Sequence, residues 1–184
     1  MFERELRELS FVPRWGTTRV QRRQSVAEHS WFTAVYAIQI MELFNVASTS
    51  DKFYILAHAI CHDLEEGITG DVISPIHSRV KTQLDGVVRT ELPTRHPELS
   101  GHNTGHADNE AIVKTASVMD DIMYLMTEKQ MGNSAIDGIA ARAVDKLHES
   151  WMTMPFERDT LEAKWTTVEE AIKSAERQQS RFLP

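Results

Sequence analysis

The chain has 184 residues, 41% apolar and 26% charged, which suits one globular domain spanning 1–184 with a substantial core. A formal charge of −7 argues against a general grip on nucleic-acid polymers, and no apolar run reaches the ~20 residues needed to cross a bilayer. The single cysteine, Cys61, excludes an internal disulfide and fits a reducing compartment, so a cytoplasmic setting is expected.

The start, Met1-Phe2-Glu3-Arg4-Glu5, does not read as a signal peptide; Phe2 to Leu9 is expected as a short amphipathic helix that Pro13 ends. Residues 11 to 24 form a loop in which Arg14, Arg19, Arg22 and Arg23 crowd together around Trp15-Gly16. A basic cluster in an acidic chain suits a small anionic ligand, although a solvated loop has the same composition. Ser25 with Glu28 three residues later reads as a capping box, opening a helix from Val26 to about Phe44. That helix is apolar almost all round and is expected to be central.

Ser50 or Asp51 caps a third helix that runs to His62-Asp63, and Gly67, Gly70 and Pro75 mark the following loop. Further helices are expected from about Ile76 to Leu92, from Asn109 to Gln130 behind an Asp108 cap, and over about 134–152 and 156–181. A polar loop, 93–107, interrupts the series, and Gly132 stops the long helix. No stretch alternates with the period of a strand. The expected architecture is an all-α bundle of about seven helices.

His29, His62 and Asp63 supply the mixed N/O donor set of a first-row divalent cation. The tract 63–71 adds Glu65, Glu66 and Asp71, and carboxylates beside a metal are what hydrolysis needs. Adjacent helical residues point ~100° apart, so His62 and Asp63 reach one ion only where the helix ends. Two other pairs have the i, i+4 spacing. His58 with His62 lacks a glutamate between them, so His58 reads as core or as support for a ligand; His102 with His106 reads as surface loop.

The ordered set Arg14-Trp15, Val26-Ala27-Glu28-His29-Ser30 and His62-Asp63-x-x-Glu66-x-x-x-Gly70-Asp71-x-x-x-Pro75 resembles the HD-domain metal-dependent phosphohydrolases. Within them it is similar to the 5′-deoxynucleotidase branch, to which phage dATP triphosphohydrolases are related. The likeness covers roughly residues 10 to 133, and the last fifty residues match only in helical character.

The resemblance implies that His29, His62 and Asp63 bind the metal, Glu66 handles the attacking water and Asp71 meets the leaving 5′ oxygen. Arg14 would hold phosphate and Trp15 would wall off C2′ of the sugar; Arg19, Arg79 and Lys81 are further candidate substrate contacts. The family's fourth ligand is an aspartate whose place is taken here by Ser117. Asp120 is the expected replacement, with Asp121 as its rival. Ile73 stands where the bacterial enzymes often carry proline.

The expected activity is hydrolysis of 2′-deoxynucleotides at the 5′ phosphate or triphosphate, with dATP or dAMP as substrate. The expected cofactor is Zn, Co or Mn, with Mg as a possible second ion, and the expected assembly is a homodimer or larger. A phage-encoded chain would work in the host cytoplasm. The alternatives are a broad dNMP 5′-nucleotidase, or a catalytically weakened nucleotide sensor that has lost the aspartate.

Overall fold

The helix-starting and helix-stopping residues of this chain produce seven α-helices in the computed structural model, which describes residues 5–72, 74–95, 99 and 107–177. They are α1 (Val26–Leu43), α2 (Thr49–Cys61), α3 (Glu66–Thr69, a single turn), α4 (Ser74–Arg95), α5 (Ala107–Gln130), α6 (Asp137–Trp151) and α7 (Arg158–Arg177). Two 3₁₀ segments, Glu5–Ser10 and Ser134–Ile136, complete the order. The fold is all-α. Among the described residues the only β feature is an isolated bridge between Pro13 and Ser25. Among the described residues no helix is long and apolar enough to cross a membrane.

Local chemistry explains the ends of the two central helices. At the start of α1, Ser25 accepts from the Glu28 backbone N–H while the Glu28 side chain accepts from the Ser25 N–H. At its end Asn45 takes φ +53, the Asn45 N–H reaches Glu42 O and the Val46 N–H reaches Met41 O. This paired arrangement satisfies two terminal carbonyls, and asparagine tolerates the left-handed turn it requires. The same pairing closes α5, where Gly132 has φ +86 and the N–H groups of Gly132 and Asn133 reach Lys129 O and Glu128 O.

α1 packs chiefly against α5 and α2, and α5 also carries α6 and α7. Small buried residues (Ala34 and Ala37 of α1, Ala59 of α2, Ala116 of α5) let these helices approach closely. Ile40, Ile55, Ile122, Leu125, Leu147 and Trp151 fill the space between them.

Several expected boundaries move. The first helix is 3₁₀ over its described residues, and the cap of α2 is Ser48, two residues before Ser50 and three before Asp51. α4 takes Pro75 into its first turn, where proline loses no intrahelical bond, and carries Pro93 near its end. Asp108 lies inside the first turn of α5 rather than before it, a position that still suits the helix dipole. α1 is central but not buried all round, since Trp31 and Ile38 remain 61% and 43% exposed. The expected loop around His102 and His106 lies outside the described residues.

One buried carboxylate holds the Arg-rich loop against α5. Glu128 is fully buried; its Oε2 accepts from the Gln21 N–H (2.7 Å) and Asn133 Nδ2 (2.7 Å), and its Oε1 from the Arg22 N–H (2.9 Å). Glu128→Ala would leave these donors without their acceptor. The expected loss is about 3 kcal/mol, a fall in melting temperature of roughly 6–12 °C, readable in a thermal or urea unfolding curve.

Candidate metal centre

The site is assembled where α1, the end of α2 and α5 meet. His29 lies in the first turns of α1 and is fully buried. His62 is the C-cap of α2, and Asp63 belongs to the turn that follows, where Leu64 N–H bonds Cys61 O and Glu66 N–H bonds Asp63 O. Leaving the helix at this point lets the two adjacent side chains turn towards one place. Asp63 Oδ2 lies 3.2 Å from His62 Nε2 and 3.5 Å from His29 Nε2, and the three residues have ligand atoms within 4.8 Å of one another.

The donor chemistry fits a divalent cation. His62 Nδ1 donates to Ala59 O at 2.9 Å, which leaves Nε2 as a lone pair, and that buried atom has no hydrogen-bond partner. Burial, chiefly, holds the His62 pKa below its ordinary value, so the ring is neutral near pH 7. Two imidazole nitrogens and one carboxylate oxygen therefore converge as a first-row transition-metal donor set.

Asp120, the expected fourth ligand, groups with His29 and Asp121 and not with the atoms of this triad. Its Oδ2 lies 2.6 Å from Nδ1 of His29, whereas Asp63 faces Nε2. The two ring nitrogens point in different directions, so a cation at Nε2 has Asp120 across the ring. A cation there requires the Nδ1–H tautomer, which the Asp120 carboxylate stabilises by accepting the proton. The α5 group that faces Nε2 is Ser117, with Oγ 3.2 Å away.

His29, Asp120 and Asp121 also form a close acidic group, but a cation already stands among them. Arg14 Nη1 lies 2.9 Å from Asp121 Oδ1, 3.8 Å from Asp120 Oδ2 and 2.7 Å from His29 Nδ1. The guanidinium compensates both acids. In the first triad, by contrast, the buried His62 Nε2 has no hydrogen-bond partner.

The acidic loop lies close by. Gly70 follows α3 with φ +71, a backbone conformation that carries the chain to Asp71 and that L side chains rarely adopt. Glu66 Oε2 is buried without a hydrogen-bond partner. Burial, then the neighbouring Asp63 and Asp71, push the Glu66 carboxyl up to about 9. Burial also raises Asp71, opposed by Arg14, and the Asp71 carboxylate accepts the Trp15 backbone N–H.

Trp15 is held in the left-handed region at φ +65, a strained state for an aromatic residue that its surroundings must enforce. Its ring stacks on Tyr124 with centroids 5.4 Å apart and planes 11° from parallel. The Arg14 guanidinium lies 5.7 Å from the ring centroid, and Trp15 Nε1 donates to Gln24 Oε1 at 3.4 Å. Trp15 therefore has a packing role as well as a place beside the acids.

Of the residues singled out in the sequence, Arg14, Trp15, His29, His62, Asp63, Glu66 and Asp71 gather in one region, with Asp120 behind His29. Arg19 and Arg79 are exposed; Arg19 contributes its backbone carbonyl to Asn133 Nδ2 at 2.8 Å. The Lys81 side chain and Ile73 lie outside the described residues. His58 is buried one turn before His62, and burial, then the neighbouring His62, lower its pKa. Gln24 and Glu128 were not singled out; each is a polar residue whose partners come from distant segments, and nothing in the adjacent sequence marks either.

The model of a protein family described as 5′-deoxynucleotidase YfbR-like matches residues 1–157, a longer stretch than the motifs alone span. The chain is 26% identical over 175 residues to a dATP triphosphohydrolase of Salmonella phage PMBT28, covering 90% of this chain and 86% of that protein. It is 24% identical over 149 residues to the 5′-deoxynucleotidase YfbR of Salmonella arizonae, covering 72% and 75% respectively. Its fold is similar to that of the cyanophage S-2L HD phosphohydrolase DatZ, bound to dA and one catalytic Zn²⁺ ion. The TM-score there is 0.75 at 19% identity, with 95% of this chain and 98% of that one covered.

Proposed function

The chain belongs to the 5′-deoxynucleotidase YfbR-like family of HD-domain phosphohydrolases, and from that premise we propose that it hydrolyses deoxyadenine nucleotides at the α-phosphorus. The products are deoxyadenosine with phosphate from dAMP, or with triphosphate from dATP. That it is a hydrolase of deoxynucleotides follows from the family; the adenine base and the triphosphate are our reading, supported by the phage relative and by the dA bound in the cyanophage protein. The observation that carries the reading is the triad His29–His62–Asp63, with its unpartnered His62 Nε2, beside a proton-holding Glu66.

His29 Nε2, His62 Nε2 and Asp63 would hold a transition-metal ion, with Zn, Co or Mn better suited than Mg to nitrogen donors. Such an ion supplies Lewis acidity towards phosphoryl oxygen and makes water a better nucleophile near neutral pH. Glu66 would take the proton of the incoming water once a bound cation offsets the Asp63 charge that, after burial, helps keep its carboxyl protonated. Asp71 would meet the 5′ oxygen and return a proton to it as it leaves. Arg14 uses one nitrogen, Nη1, to donate to Asp121 and Gln24, so its other N–H donors would serve the phosphate.

A panel of dNMPs and dNTPs with added Zn²⁺, Co²⁺, Mn²⁺ or Mg²⁺, with the products identified, tests the proposal. Deoxyadenosine plus triphosphate from dATP is the expected result. Equal turnover of all dNMPs favours a broad 5′-nucleotidase instead. The neutral Ser117 beside His29 Nε2 favours, as a second reading, a weakened nucleotide sensor; binding of deoxynucleotide without phosphate release under every metal would select it. A homo-oligomer is also proposed, supported by exposed Trp31 and Ile38 on α1 and Phe53 and Ile60 on α2; a monomeric mass in sedimentation would reject it.

Trp15 is proposed to exclude the ribose 2′ hydroxyl. An aromatic ring locked by stacking and by a strained backbone cannot move aside, and rejection by shape depends on a wall that does not yield. Trp15→Ala should reduce the ratio of kcat/KM for dATP over ATP by about 10-fold or more, on the order of 1.4 kcal/mol. An unchanged ratio would leave Trp15 with its packing role alone.

A further inference from the structure

We propose that Gln24 is a positioning residue that ties the Arg14–Trp15 pair to the orientation of His29, so that the substrate loop and the metal centre are set together. This rests on reading His29, His62 and Asp63 as the metal centre. Gln24 is 4% exposed although it belongs to a loop, so its amide must find partners within the protein. Its Oε1 accepts from Arg14 Nη1 at 3.3 Å and from Trp15 Nε1 at 3.4 Å. Its Nε2 donates to Asp120 Oδ2 at 2.7 Å, and that same oxygen lies 2.6 Å from His29 Nδ1. The Gln24 backbone carbonyl also accepts the Arg14 N–H at 2.9 Å.

The chemistry of a primary amide is what this position demands. One end must accept from two donors and the other must donate to a carboxylate, and glutamine offers both from one rigid group. A hydrocarbon side chain here would leave Asp120 with one donor fewer and free to rotate. A rotated Asp120 no longer fixes the His29 tautomer that presents Nε2 as a lone pair, and loss of such a supporting bond weakens metal binding. On the other side, Trp15 Nε1 and Arg14 lose their shared acceptor. Gln24 thus acts through Asp120 on the metal and through the indole on the sugar.

The test uses Gln24→Met, similar in length and without hydrogen bonds. Co²⁺ is titrated into the metal-free full-length protein without nucleotide, followed by calorimetry and by the visible Co²⁺ absorption bands. The expected result is Co²⁺ affinity about 10-fold weaker with displaced bands, together with a lower ratio of kcat/KM for dATP over ATP. Because Gln24 acts through Asp120, the double variant with Asp120→Asn should bind Co²⁺ no more weakly than Asp120→Asn alone.

Unchanged affinity and bands in Gln24→Met, or additive losses in the double variant, overturn the inference. Asp63→Ala is the control for the metal reading itself: if it binds Co²⁺ as the unaltered protein does, that reading fails and not merely the role of Gln24. Should Gln24→Met not fold, Gln24→Glu serves, being the same size and still an acceptor for Arg14 and Trp15 but no donor to Asp120 when ionised. A displaced His29 imidazole ¹⁵N resonance is then expected, and an unmoved one overturns the proposal.

Discussion

Asp63→Ala is expected to lower turnover of deoxynucleotide more than about 1000-fold and to leave it there when divalent metal is restored. Asp63 Oδ2 is the atom that both His29 Nε2 and His62 Nε2 approach, at 3.5 and 3.2 Å. It is also the only carboxylate of that triad. Without it two neutral imidazoles remain, and Ser117 Oγ beside His29 brings no charge to replace it. Metal content after dialysis and phosphate release in the presence of excess Co²⁺ or Mn²⁺ give the two readouts. Turnover close to that of the unaltered protein, with metal added, would remove the metallohydrolase mechanism altogether.

Glu66→Gln should lower kcat by about 100- to 10,000-fold, the usual contribution of a positioned acid or base. Metal affinity should change far less, because Glu66 is not one of the converging ligands. The same variant has a signature in the metal-free protein. The Glu66 carboxyl is pushed up to about 9 by burial and then by Asp63 and Asp71, against an ordinary value of 4.5. The folded state therefore holds this proton where the unfolded chain has lost it. The resulting stability is fully present below about pH 4.5 and is lost as the pH rises towards 9. Melting temperatures of the metal-free protein across that window should fall, and Glu66→Gln should flatten the fall. Identical slopes in both proteins would mean that Glu66 ionises freely and is not the proton-holding group.

Much of the helical order could be read directly from the chain because it depends on neighbours a few residues apart. Ser25 and Glu28 are three residues apart and make the capping box; Gly132 ends α5 by its own conformational freedom. Pro75 does not by itself say where the loop ends, since a proline is compatible with the first turn of a helix as well as with a loop, and Pro93 does not stop the last turn. α4 extends through both. The outward-facing Trp31 and Ile38 are not legible in the sequence for a different reason: apolar content alone does not say which side of a helix meets a neighbour.

The amino-acid sequence by itself determined the all-α class, the family resemblance and the nucleus of the site, His29 with His62-Asp63 and the acids after them. These are set by residue identity and by short spacing, including the helix end that lets two consecutive side chains face one point. Only the tertiary structure decided which nitrogen of His29 faces which acid. That depends on how α5 is rotated against α1, a degree of freedom fixed by packing of Ala34, Ala37 and Ala116 and not by local sequence. The rotation puts Asp120 on Nδ1 and Ser117 on Nε2, while Arg14 compensates Asp121. It also gives Gln24 a partner 96 residues away. Interactions between residues so far apart become strong only after the helices have packed, because burial excludes the water that would otherwise satisfy each group separately.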